Sequence, residues 1–189
     1  MDKQSIDRSA GNRTEIFSGI VLSFQNYLTE QVFCRHEAEK ECLEINYCRN
    51  GRIGWKMKDG RSIDLGPGDF CIHTRRLCAG SRMEIAEGRY EGLSICIDLA
   101  RFEQEPPELL DGTGITGRML AEKFCFHGAL RGEGFSGEDY SVFFGNEKTK
   151  TIFDEFYDKS EEFKRSFFRL KTLELLLYLG EVERGQRRE

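Results

Sequence analysis

Apolar and polar positions follow one period through most of this 189-residue chain and another near its end. Leu43-Glu44-Ile45-Asn46-Tyr47 alternates residue by residue, and Ile53, Trp55 and Met57 alternate with Gly54, Lys56 and Lys58, as half-buried strands do. Asn50-Gly51 lies between these runs. Both residues take positive φ readily, so the pair reads as a two-residue hairpin turn, and Asp59-Gly60 repeats it before Ile63 and Leu65. Gly66-Pro67-Gly68-Asp69 is a third turn, leading into Phe70-Cys71-Ile72-His73. Further alternation at 82–86 and 93–97 brings the count to at least six short antiparallel strands, the spacing of a sandwich or small barrel. Leu99 to Glu105 reads as a short helix stopped by Pro106-Pro107, because proline disfavours helix at the residue before it.

The end of the chain is helical. Of the 20 glycines, 18 fall in residues 1–145, while 146–179 holds neither Gly nor Pro, so the junction is placed near Gly145-Asn146. Asn146 can cap a first helix, with Glu147 in its opening turn and Ile152, Phe153, Phe156 and Tyr157 as its apolar stripe. Ser160-Glu161-Glu162 reads as the start of a second helix. On that helix Phe163, Phe167, Leu170, Leu173 and Leu177 follow one face, while Phe168, Leu175, Leu176 and Leu179 add another. Two apolar faces need two surfaces: the barrel for one, and a second subunit or a neighbouring helix of the same chain for the other. The division predicted is a polar N-terminal arm at 1–15, a barrel at 16–145, a helical dimerisation subdomain at 146–182 and a tail at 183–189.

Composition narrows the function. With 28 Lys and Arg against 33 Asp and Glu, the chain carries a net charge of -5, without the basic face of a self-sufficient nucleic-acid binder. The longest apolar run, residues 175–179, is far too short to span a bilayer, and the polar N-terminus lacks a secretory signal. Seven cysteines without a CxxC pair read as reduced thiols, which points to the cytoplasm.

The strand order at 43–48, the Asn50-Gly51 and Asp59-Gly60 turns, Leu65-Gly66-Pro67-Gly68-Asp69-Phe70 and the Leu-rich segment 168–179 together resemble the N-terminal domain of AraC-type bacterial transcription regulators. The resemblance covers most of residues 16–180. It implies a mainly β fold, a cupin-like (double-stranded β-helix or jelly-roll) barrel followed by an antiparallel helical pair. It further implies a small-molecule effector held in the barrel, a homodimer formed through the helices, and DNA contact only through a separate C-terminal helix-turn-helix domain. Nine residues after Gly180 are too few for one such unit, so that domain is expected to be absent here. The expected chain is a sensing and dimerisation module, and not an enzyme.

Candidate chemistry is sparse. Many cupins bind metals through a His-x-His pair with further ligands, but this chain has only His36, His73 and His127, and no metal or other cofactor is expected. Cys34-x-His36 and Cys71-x-His73 would each put a thiol and an imidazole on one strand face, which keeps a metal-dependent cupin enzyme as the alternative. For an effector pocket, Tyr47, Ile45, Ile53, Trp55 and Met57 are the inward positions, lining a cavity or filling it. His73, Arg52, Arg75 and Arg82 complete the ligand-binding candidates. The arginines enter because residues 49–89 hold nine Lys or Arg against five acids, a bias that suits an anionic effector. The dimer-forming candidates are Phe163, Phe167, Leu170, Leu173 and Leu177.

Overall fold

The structure is a computed structural model that describes residues 13–33, 41–57, 60–74, 77, 81–124, 140–157 and 160–182. Eight strands are formed by the described residues: β1 Arg13–Phe17, β2 Ile20–Tyr27, β3 Gln31–Phe33, β4 Cys42–Lys56, β5 Ser62–Leu65, β6 Phe70–Thr74, β7 Arg82–Asp98 and β8 Tyr140–Phe143. They make one antiparallel sheet in the order β1-β2-β7-β4-β6-β8, with β3 also on β7 and β5 also on β4. Strand β1 begins at Arg13, so residues 13–15 belong to the sheet rather than to the expected arm; residues 1–12 lie outside the described residues.

The strands expected on either side of Asn50-Gly51 are one strand of 15 residues, running beside a β7 of 17. Asn50-Gly51 is a bulge rather than a hairpin turn. Cys48 pairs with Gly92 and Asn50 with Glu91, leaving Arg49 as an extra residue on β4. Gly51 then pairs with Tyr90 while Arg52 pairs with Ala86, leaving residues 87–89 extra on β7. Glu87 (φ 60°) and Gly88 (φ 64°) supply the left-handed backbone of that excursion. An odd number of inserted residues reverses which face a side chain meets. Leu43, Ile45 and Tyr47 therefore join one core, whereas Cys48, Ile53, Trp55 and Met57 join the other.

The sheet is folded so that both faces are buried. Its inner face packs Tyr27, Cys48, Ile53, Trp55, Ile63, Leu65, Cys71, Met83, Ile85 and Tyr90 against one another, as the interior of the cupin-like barrel predicted by the sequence. The outer face carries Ile20, Leu22, Leu43, Ile45, Tyr47, Phe70, Leu93, Ile95 and Ile97, and the helices cover it. Here α1 is Leu99–Gln104, α2 Gly117–Phe124, α3 Glu147–Asp154 and α4 Lys164–Glu181, with a 3-10 turn at Glu108–Leu110. The fold is thus mainly β with helices following the barrel. Because α3 and α4 share this core with the sheet, residues 146–182 pack as part of the same body.

Local chemistry sets the joints. Asp98 caps α1 by accepting from the Arg101 N–H at 3.1 Å, and the helix ends before Pro106, as expected. In the Gly66–Asp69 turn the Asp69 N–H donates to the Gly66 carbonyl, and Asp69 Oδ2 accepts from the Gly66 N–H, both at 3.0 Å. The other carboxylate oxygen of Asp69 accepts from the Gly145 N–H, tying this turn to the start of α3. Asn146 caps α3 in a reciprocal box with Thr149. Helix α4 begins at Lys164, not at Ser160; the chain makes a turn first, and Phe163 at the cap position provides no side-chain hydrogen bond. At its far end Lys123 of α2 donates to the Leu179 and Gly180 carbonyls, a cation against the negative end of the helix dipole. No helix among the described residues is long and apolar enough to cross a membrane.

The bulge gives a direct test. Gly51 holds φ +82°, and a Cβ there would meet the Arg89 carbonyl oxygen at 2.2 Å, whereas Gly60 holds φ +88° with nothing within 4 Å. Urea denaturation should show Gly60→Ala costing roughly 1–2 kcal/mol, the strain of left-handed backbone alone, and Gly51→Ala costing clearly more.

Candidate functional site

The inner face of the barrel carries a buried polar band where β4 crosses β6 and β7. Cross-strand register sets Glu44 beside His73 and Cys96, and Asn46 beside Cys71 and Ser94. Because side chains two apart share a face, Cys71 and His73 do point the same way, as expected. Asn46 is 2 % exposed and His73 1 %, so each polar atom needs a partner. Asn46 Nδ2 donates to His73 Nε2 at 2.9 Å, and His73 Nδ1 lies 3.0 Å from the Thr74 carbonyl. A carbonyl only accepts, which assigns the ring hydrogen to Nδ1. Ser94 Oγ donates to Glu44 Oε1 at 2.9 Å. Trp55 closes over the band, its ring centroid 6.5 Å from that of His73.

The thiols of this interior are held protonated. Burial pushes Cys48 up to about 12, aided by the nearby Asp69 carboxylate and only partly offset by Arg52. Burial raises Cys71 further, with Glu44 adding to the effect. Among the described residues, no three His, Cys, Asp or Glu side chains come together as a metal-binding group. Cys34 and His36, the other expected pair, lie outside the described residues.

The structure divides the expected ligand-binding residues. His73, Trp55 and Met57 all face the interior, where Trp55 and Met57 are core residues at 3 % and 6 % exposure. Tyr47, expected beside them, points to the opposite face with Ile45, because the Arg49 bulge inverts the alternation. There Tyr47 stacks on Phe153 at 4.4 Å and donates its hydroxyl to Asp154 Oδ1 at 2.9 Å, joining β4 to α3. Burial and this carboxylate raise the Tyr47 pKa well above that of a free phenol. Arg52 follows the outward alternation with Gly54 and Lys56, near the Gly66–Asp69 turn. Arg82 also lies outside, paired with Glu84 at 2.7 Å, and Arg75 falls outside the described residues.

Helix α4 separates the dimer candidates. Leu173 is buried in the chain's own core together with Phe168, Leu175, Leu176 and Leu179. Phe163, Leu170 and Leu177 are 55 %, 58 % and 44 % exposed, with Phe167 half-buried. Two concavities among the described residues lie near the N-terminal end of this helix, against β1. Sequence reading missed them because their walls come from segments far apart in the chain.

No family model and no curated protein matches the chain. Among solved structures it is similar to a cupin protein from Bacteroides fragilis, at 20% identity and TM-score 0.37, covering 59% of this chain and 97% of that one. It is also similar to an HTH_3 family transcriptional regulator from Vibrio cholerae, at 11% identity and TM-score 0.36, covering 42% of this chain and 43% of that one. A third is the bacterial pirin YhhW from Escherichia coli in complex with nickel(II), at 21% identity and TM-score 0.35, covering 43% of this chain and 36% of that one. The chain thus spans less than half the length of the regulator and of the pirin.

Each member of the Asn46–His73 pair satisfies the other in a site sealed from water. Removing one partner by Asn46→Ala should cost roughly 1–3 kcal/mol in denaturant titrations, and His73→Leu a similar amount. Their double variant should cost less than the two singles added, whereas strict additivity would mean the pair contributes nothing.

Proposed function

We propose that this chain is the signal-responsive, self-associating module of an AraC-type transcription regulator, a barrel that supports a subunit contact on its last helix. One observation carries the proposal. Phe163, Phe167, Leu170, Glu174 and Leu177 follow one another at steps of four, three, four and three along α4, and all lie outside its buried stripe. That step pattern averages 3.5 residues, the seam of paired helices. Single exposed leucines are ordinary, but a line of four apolar residues interrupted only by Glu174, on a helix already buried on its other side, is not. A two-fold axis at Leu170 would place each Phe163 opposite a Leu177 in an antiparallel pair, the self-complementary contact a dimer requires.

Two further features favour a binding module over an enzyme: burial raises the pKa of the interior Cys48 and Cys71 thiols, and the inner face is lined mostly by the chain's own apolar side chains. In this proposal DNA contact belongs to a separate helix-turn-helix domain. A small effector acts by binding the paired and unpaired states with different affinity, since a ligand shifts an equilibrium only by that difference. Cys48 and Cys71 are free thiols, which suits the reducing cytoplasm.

Sedimentation equilibrium tests the contact. The wild-type chain should be dimeric, and Leu170→Glu or Leu177→Glu should give a folded monomer. Leu173→Ala should instead cost about 2–5 kcal/mol of stability, as a core truncation does. A wild-type monomer at the highest attainable concentration, or a dimer untouched by Leu170→Glu, would contradict the proposal.

A further inference from the structure

Edge strand β1 and the first two turns of α4 enclose two adjoining grooves, of about 380 and 280 Å³. Arg101, Arg165 and Arg169 line the larger; Arg13, Lys164 and again Arg165 line the smaller. Only two carboxylates share these walls, and both are engaged. Glu15 is paired with Arg101 at 3.4 Å, and Glu161 with Lys164 at 2.7 Å. Arg101 also donates to Ser18 Oγ at 3.1 Å, which fixes its direction. Arg169 stands over the Phe17 ring at 4.7 Å. Arg13 and Arg165 have no hydrogen-bond or ionic partner among the described residues.

Gathering five cations against two carboxylates is unfavourable unless a counter-charge joins them. It is also out of keeping with a chain whose net charge is -5. Guanidinium forks from two walls match the oxygens of a tetrahedral anion. The floor is apolar, with Ile16 and Phe17 under the larger groove and Phe24 and Phe168 under the smaller, so the carbon part of a ligand has a surface to cover. The volume of the larger groove falls in the range of small-molecule sites.

We propose that this groove binds a small phosphate-bearing molecule, with Arg165 as the shared contact between its two halves and Arg13 and Arg169 on either side. The ligand bridges β1 to α4. The site does not depend on self-association, because its walls come from one chain and lie away from the exposed stripe of α4.

Isothermal titration of the full chain with inorganic pyrophosphate tests this. Saturable binding is expected, weakening as sodium chloride is added. Arg165→Ala and Arg13→Ala should each weaken it by about tenfold, the usual worth of a charge-assisted hydrogen bond, while Lys150→Ala on α3 leaves it unchanged. Two arginine variants on different walls separate loss of the site from a folding defect in either element. Absence of saturable binding, wild-type affinity in both arginine variants, or equal loss in the Lys150 control would overturn the proposal. So would a mixed-sequence DNA duplex binding more tightly than pyrophosphate, since the groove would then serve a nucleic-acid backbone.

Discussion

The rest of the fold depends on the reversal of side-chain direction in the middle of β4 and β7. Arg49 is extra on one strand and residues 87–89 on the other, so each long strand changes which face its alternate residues meet. Without that reversal Trp55 would share a face with Leu43, Ile45 and Tyr47, and the inner and outer cores could not both be filled. With it, the ends of the same two strands build the barrel interior at Ile53, Trp55, Met83 and Ile85 and a platform for helices at Leu43, Ile45, Leu93 and Ile97. Asn46 and Tyr47 illustrate the result: neighbours in sequence, one is held inside by His73 and the other reaches Asp154 on α3.

Much of this was legible along the chain, for reasons that are local. Alternation marked the strands, Gly66-Pro67-Gly68-Asp69 marked its turn, Pro106 stopped α1, and Asn146 capped α3. Each signal lies within a few residues of the structure it specifies. The reversal was not legible, because Asn50-Gly51 supplies the same positive-φ backbone to a hairpin and to a bulge. What decides between them is the partner strand almost forty residues later. The same reason misplaced Tyr47, which alternation alone puts beside Trp55. On α4 the apolar pattern identified two faces but assigned Leu173 to the outer one. Packing against the sheet turns Leu173 inward and leaves Glu174 in the exposed line. Strand β8 and helix α2 sit in the glycine-rich stretch that has no clear period.

A division of labour follows from the two cores. The inner one is occupied by its own side chains, with Asn46 paired to His73 and Ser94 to Glu44. The helical side holds the features open to other molecules: an apolar stripe on α4 and, near the same helix's first turns, an excess of arginine. Arginines at 13, 101, 165 and 169 come from three separate segments, so no local charge tally along the chain brings them together.

The closed interior is the central claim, and Trp55, the chain's single tryptophan, reports on it without modification. Its fluorescence should be that of an indole shielded from solvent, with blue-shifted emission and little quenching by acrylamide. Emission at the wavelength of free indole in water, with efficient quenching by acrylamide, would mean that the barrel is open and would contradict the account.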